Sequence, residues 1–112
     1  MAQPSLNRRL DLEEPQQVID GAGGFSTQWV TLGTIWADIR GRSGRETSGE
    51  AVSLSSTSYR VIVRAAPHGA PSRPIAGQRL RDGNRVFNIE AVAEYDSEAR
   101  YLVCFSDEEV VV

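Results

Sequence analysis

QRLRDGNRVFNIEAVAEYDSEARYLVCFSDE (78–108) is the stretch from which the fold is read. It opens with a short alternating segment, QRLR (78–81), that runs into Asp82-Gly83-Asn84. A glycine beside Asp and Asn marks a tight hairpin, because these residues adopt positive φ at little cost. RVFNIEAVAEY (85–95) then places Phe87, Ile89, Ala91, Ala93 and Tyr95 on one parity and Asn88, Glu90 and Glu94 on the other. That period of two is a strand with one face buried. Asp96-Ser97-Glu98 turns the chain, and RYLVCFSDE (100–108) returns. Its predicted inward set is Tyr101, Val103 and Phe105, with Cys104 half-buried on the opposite parity. Three short strands joined by tight turns make an antiparallel meander.

Working outward, TSYRVIVRA (57–65) alternates in the same way, with Tyr59, Val61 and Val63 inward and Arg60 and Arg64 outward. QWVTLGTIWADIR (28–40) has apolar groups on both parities, and Gly33 in its middle marks a bend or bulge. RRLDLEEP (8–15) reads as a short strand ended by Pro15, and GAGGFSTQ (21–28) as a glycine-rich connection. The latter has neither the GxGxxG spacing nor a following helical pattern, so it is no dinucleotide loop. Two long polar excursions, 41–56 and 66–77, complete the chain, and ETSGEAVSL (46–54) holds at most one short helical turn. The prediction is a mainly β domain over 8–109, a small antiparallel barrel of about six strands with long loops. It is preceded by a flexible arm, 1–7, and followed by an apolar tail, 110–112.

With 112 residues, 40% hydrophobic, the chain can bury one modest core. A net charge of −3 and a pI of about 5.1 oppose a general electrostatic hold on nucleic acid or an anionic membrane. The lone cysteine forms no intrachain disulfide, and no apolar run reaches the length of a membrane span. His68, the only histidine, sits in the Pro/Gly-rich excursion with no nucleophile motif near it. One His, one Cys and scattered acids do not supply a metal's ligand set. No catalytic residue, metal or cofactor is therefore assigned, and the expected role is not enzymatic. A base-stacking surface needs exposed aromatics among basic residues. Tyr59, Phe87, Tyr95, Tyr101 and Phe105 all fall on parities read as core, which leaves Trp29 and Trp36.

At this point the ordered motifs become more specific than a small barrel. WVTLGTIWADI (29–39), then RSGRE (42–46), YRVIVR (59–64) and RLRDGNRVFNIEAVAEYDSEARYLVCFSDEE (79–109) together resemble the head–tail joining proteins of tailed bacteriophages, also called head-closure or stopper proteins. The loop after SGRE is richer in Ser and Gly than the family pattern, and the stretch 66–77 is longer. The resemblance covers about residues 8 to 109. It implies a virion structural protein that forms a homo-oligomeric ring, of six copies or alternatively twelve, at the neck of a phage, prophage or gene transfer agent particle. Its implied partners are the portal and adaptor on the head side, the tail terminator or tail tube on the other, and double-stranded DNA passing without sequence specificity. Assembly would take place in the bacterial cytoplasm. Another neck or tail component, such as a tail terminator, and a free-standing β-barrel nucleic-acid binder are the alternatives.

All twelve basic residues are Arg, whose planar fork suits fixed carboxylate partners. Three of them crowd IWADIRGRSGRE (35–46), just past a strand. On the ring reading, Arg40, Arg42, Arg45, Glu46 and Trp36 form a subunit or partner interface. The alternatives are a loop that turns Arg42 and Arg45 into the DNA channel, and a solvated turn of little energetic worth.

Overall fold

The computed structural model describes residues 3–41 and 58–109. The tail 110–112, the expected helical turn at 46–54, and Arg42, Arg45 and Glu46 lie outside the described residues.

Six strands form in chain order: β1 (Arg8–Ile19), β2 (Phe25–Gly41), β3 (Ser58–Arg64), β4 (Arg79–Asp82), β5 (Arg85–Glu94) and β6 (Tyr101–Glu108). All pairings are antiparallel. The order β1-β2-β3-β6-β5-β4 closes on itself through Asp11–Glu13 of β1 against Arg79–Arg81 of β4, giving a closed barrel. The described residues contain no helix. The meander is present as read, with Gly83 at φ 61° in the β4–β5 turn, where its missing Cβ removes the usual penalty.

The lumen is filled by Leu10, Leu12, Ala37, Val61, Val63, Leu80, Phe87, Ile89, Leu102 and Cys104. Each large member removes roughly 1.5–3 kcal/mol worth of apolar surface from water. Phe87 meets the ring of Tyr59 edge-on, with centroids 5.3 Å apart. The inward set of β3 is therefore Tyr59, Val61 and Val63, as its alternation indicates.

β5 and β6 depart from their predicted faces. The β5–β6 register shifts between Ile89 and Ala91, so Glu90 is an extra residue in β5. Phe87 and Ile89 face the core, but beyond the bulge Val92 takes the inward position while Ala91 and Ala93 are exposed. In β6 the lumen receives Leu102 and Cys104. Tyr101, Val103 and Phe105 stand opposite Arg64, Ile62 and Arg60 of β3, on the outer face. Both parities of β6 are apolar because the outer face is itself partly covered: Ile62 and Val103 are buried there too.

A second register shift lies between Leu12 and Glu13 of β1, where Leu12 pairs with Gly33 and Glu13 with Thr31. The extra residue, Leu32, turns toward the core beside the glycine that the sequence marked. Past this bulge the two strands leave the barrel. β1 does not end at Pro15: Glu14–Ile19 pairs only with Phe25–Val30, in a two-stranded ribbon that runs to an Ile19–Phe25 pair. Proline is tolerated because it need not serve a ladder on both sides. The segment read as a connection at 21–28 is the tip of this hairpin and the start of β2.

Candidate assembly surface

Three features mark the exterior among the described residues. The first is the outer face of β2, β3 and β6. Trp36 stands 53% exposed, beside Arg9 of β1 in the register. With Leu6, Ile35, Arg64, Ala65, Ala66 and Ser72 it lines a groove of about 630 Å³. Outward alternation puts Trp36 here, and the chain from Arg64 into the 66–77 excursion forms the opposite wall.

On the same face, Arg40 is held within its own chain. Its Nε and Nη2 donate to Asp38 Oδ2 at 3.2 and 2.9 Å, and its Nη1 donates to the Tyr95 hydroxyl at 3.1 Å. The Ser5 backbone N–H donates to the same Asp38 oxygen at 2.9 Å, so the arm ahead of β1 crosses the outer face at this point. Gln3 and Pro4 continue along it toward Tyr95 and Tyr101. Partial burial pushes the Asp38 carboxyl up, but the Arg40 and Ser5 donors outweigh it and hold the group below the usual carboxylate range.

The second feature is the base of the ribbon. Arg79 Nε donates to Glu13 Oε1 at 2.6 Å, and the guanidinium lies 4.0 Å from the centre of the Trp29 ring. Arg81 approaches the other Glu13 oxygen at 3.7 Å. Gln78 is buried at this corner: its Oε1 accepts from the Ile75 N–H and its Nε2 donates to Glu14. Trp29 is thus covered by a cation, and Trp36 is the tryptophan that stands clear.

The third is the ribbon tip. Ile19 and Phe25 are 73% and 66% exposed, and Val18 is partly so. The turn between them is fastened by Asp20. Its Oδ1 accepts the Ala22 and Gly24 N–H groups, while its own N–H donates to the Gly24 carbonyl. Gly21 and Gly23 take φ of 81° and 87°, which the turn requires. Those backbone donors hold the Asp20 carboxyl below its ordinary range.

Elsewhere Arg85 makes a bidentate pair with Glu108, at 2.8 and 3.0 Å, and spans the Tyr59 and Phe87 rings. This pairing lowers the Glu108 carboxyl. Cys104 is sealed in the lumen, and burial pushes its thiol up to about 12, which suits packing and not nucleophilic work. His68 is exposed in a turn. Among the described residues no group of three or more His, Cys, Asp or Glu is placed to hold a metal ion. No helix among them is long and apolar enough to cross a membrane.

Of the residues singled out in the sequence, the structure thus brings Trp36 to a groove and ties Arg40 to Asp38. The aromatic placement changes as well: Tyr95, Tyr101 and Phe105 belong to the outer face, so only Tyr59 and Phe87 of the five serve the lumen. The ribbon tip was missed. Val18, Ile19 and Phe25 around DGAGG (20–24) are its signal, two apolar flanks about a glycine turn.

A family model described as Phage head completion protein matches residues 1–109. Among solved structures, a chain from the virion of a native gene transfer agent (GTA) particle is 51% identical, with a TM-score of 0.80. That match covers 98% of this chain and 100% of the other. The solution structure of protein SF1141 from Shigella flexneri 2a superposes with a TM-score of 0.68 at 23% identity, covering 96% of each chain, and shows the shared fold. No curated protein matches.

Proposed function

Since the chain belongs to the phage head completion protein family, we propose that it is a structural connector of a tailed, phage-like particle. It forms a ring between the portal–adaptor complex and the tail, closes the DNA-filled head and provides the surface on which the tail docks. The observation that carries this reading is the end-to-end 51% identity with a chain of a gene transfer agent virion. A ring of six copies is favoured, with twelve as the alternative. The work is mechanical, not catalytic, and the protein acts in the particle neck after assembling in the bacterial cytoplasm.

The exterior suits such a part. A closed barrel is a rigid block, and a ring subunit needs unlike patches for its two neighbours and its two axial partners. Trp36 with its groove offers one patch and the ribbon tip another. Arg42, Arg45 and Glu46 belong to the interface in this proposal. Arg40 contributes by fixing Asp38 and the arm, since its donors are engaged inside the chain. A net negative chain leaves passing DNA unretained.

Electron microscopy of the neck tests the proposal, read together with reversal of Arg42 and Arg45 to Glu. A single ring of this chain between portal–adaptor and tail is the expected result, with loss of tailed particles in the variant. Filled particles that form but leak DNA would assign the two arginines to the channel instead. A neck without this chain would refute the connector role.

A further inference from the structure

We propose that the tip of the β1–β2 ribbon seats in the Trp36 groove of a second copy of this chain, so that neighbouring subunits join head to tail. The inference rests on the ring reading above and names the contact that would build the ring.

Two unlike apolar features lie far apart on one molecule. The tip presents Ile19 and Phe25, with Val18 behind them, and these are three of the five large apolar side chains exposed among the described residues. The groove is walled by Leu6, Ile35, Trp36, Ala65 and Ala66. Its volume of about 630 Å³ lies in the range of pockets that enclose a sizeable ligand, enough for two side chains. Trp36, itself exposed, supplies a large rigid wall of the kind found at the energetic centre of interfaces.

A tip cannot fill the groove of its own chain. Phe25 and Trp36 lie on the same strand, 36 − 25 = 11 positions apart. At about 3.3 Å per residue that is roughly 35 Å of paired ribbon and barrel wall. The hairpin must therefore find its groove on another molecule.

Charge selects a second copy as the occupant. Asp20 is held ionised by its own turn, with Oδ1 occupied by backbone donors. Arg64 lines the groove, and Arg9 stands beside Trp36 in the register. Neither has a carboxylate partner among the described residues. An apolar tip carrying one negative charge thus faces an apolar groove flanked by two positive ones. Because tip and groove are different surfaces, the contact is heterologous, and repeating it closes a ring if the rotation allows.

Cysteine pairing in assembled particles tests this. Ala22→Cys and Ser72→Cys change two exposed positions, one in the tip turn beside the Ile19 and Phe25 anchors and one on the groove rim. The native Cys104 is buried and leaves the background silent. Treated with a short bis-maleimide, particles bearing both substitutions should give a ladder of linked subunits up to the ring size, and neither single variant should give more than monomer. A double variant that stops at dimers would show a reciprocal twofold exchange and overturn the head-to-tail contact. Links to a different neck protein would overturn it as well, by naming another occupant. No links in particles whose necks show a ring by microscopy would sink the inference and leave the connector role standing. No ring at all would sink both.

Discussion

Arg79 and Glu13 meet at 2.6 Å at the point where the ribbon leaves the barrel, with side chains only 14% and 7% exposed. Arg81 and the Trp29 ring complete the corner. This is where a two-stranded ribbon, marginal by itself, gains a fixed direction. Bidirectional anchoring of one carboxylate by two strand-β4 arginines ties β1 to β4 across the seam of the barrel.

Glu13→Gln removes the charge and leaves two guanidiniums close together without their counter-ion. The expected loss is about 2–3 kcal/mol, just under the range for breaking a fully buried pair, because Arg81 keeps contact with water. A lower midpoint in urea unfolding with an unchanged slope checks it. An unchanged midpoint would show that the pair orients the ribbon without stabilising the barrel.

Acid should weaken the fold through Glu108 and Asp38. Both carboxyls titrate below their ordinary range when folded, so each stabilises the native state above the unfolded pKa, near 4. That contribution is lost as pH falls through the lowered folded values. Stability should be level from pH 8 to 5 and fall below about 4. Arg85→Gln should flatten part of that fall, since Glu108 then titrates closer to its unfolded value. Urea midpoints at pH 7, 4 and 3 for both proteins give the comparison.

Cys104 should be inert in the native protein. With its thiol pushed up to about 12 inside the lumen, Ellman's reagent at pH 8 should find no free thiol until denaturant is added, and one afterwards. Rapid reaction without denaturant would mean that the β3–β6–β5 wall opens.

Trp36→Asp should separate folding from assembly. The side chain is more than half exposed, so the melting temperature of the free protein should fall by no more than a few degrees. Tailed particles, counted by microscopy or by transfer of packaged DNA, should drop at least tenfold. Normal particle numbers would remove Trp36 from the interface.

The elements that were legible in the sequence are those where alternation and turn chemistry agree. Asp82-Gly83 and the β3 set Tyr59, Val61 and Val63 are read directly. Leu32 and Glu90 show where period-two reading fails, because one added residue reverses every later face. Gly33 hints at the first bulge, while nothing at Glu90 announces the second. In β6 the two parities, Tyr101-Val103-Phe105 and Leu102-Cys104, are equally apolar, and only the covered outer face explains why. Pro15 misled for a different reason. It ends a strand that must pair on both sides, but β1 beyond the barrel pairs on one. For the candidate surface, Trp36 was legible as one of the two tryptophans left outside the core aromatics, on a strand with apolar groups on both parities. The groove it lines was not, since Leu6, Ala65 and Ala66 come from distant segments.

The barrel closes through β1 and β4, whereas both outer edges of the ribbon lack a strand partner among the described residues. Aggregation by strand addition is therefore a hazard concentrated at Glu14–Ile19 and Phe25–Val30. Those edges are guarded: Pro15 has no N–H to offer an incoming strand, and Gln16, Gln17, Thr27 and Gln28 are polar and exposed. Strand addition at the ribbon is thus opposed on β1 by a residue with no N–H and on both strands by exposed polar side chains.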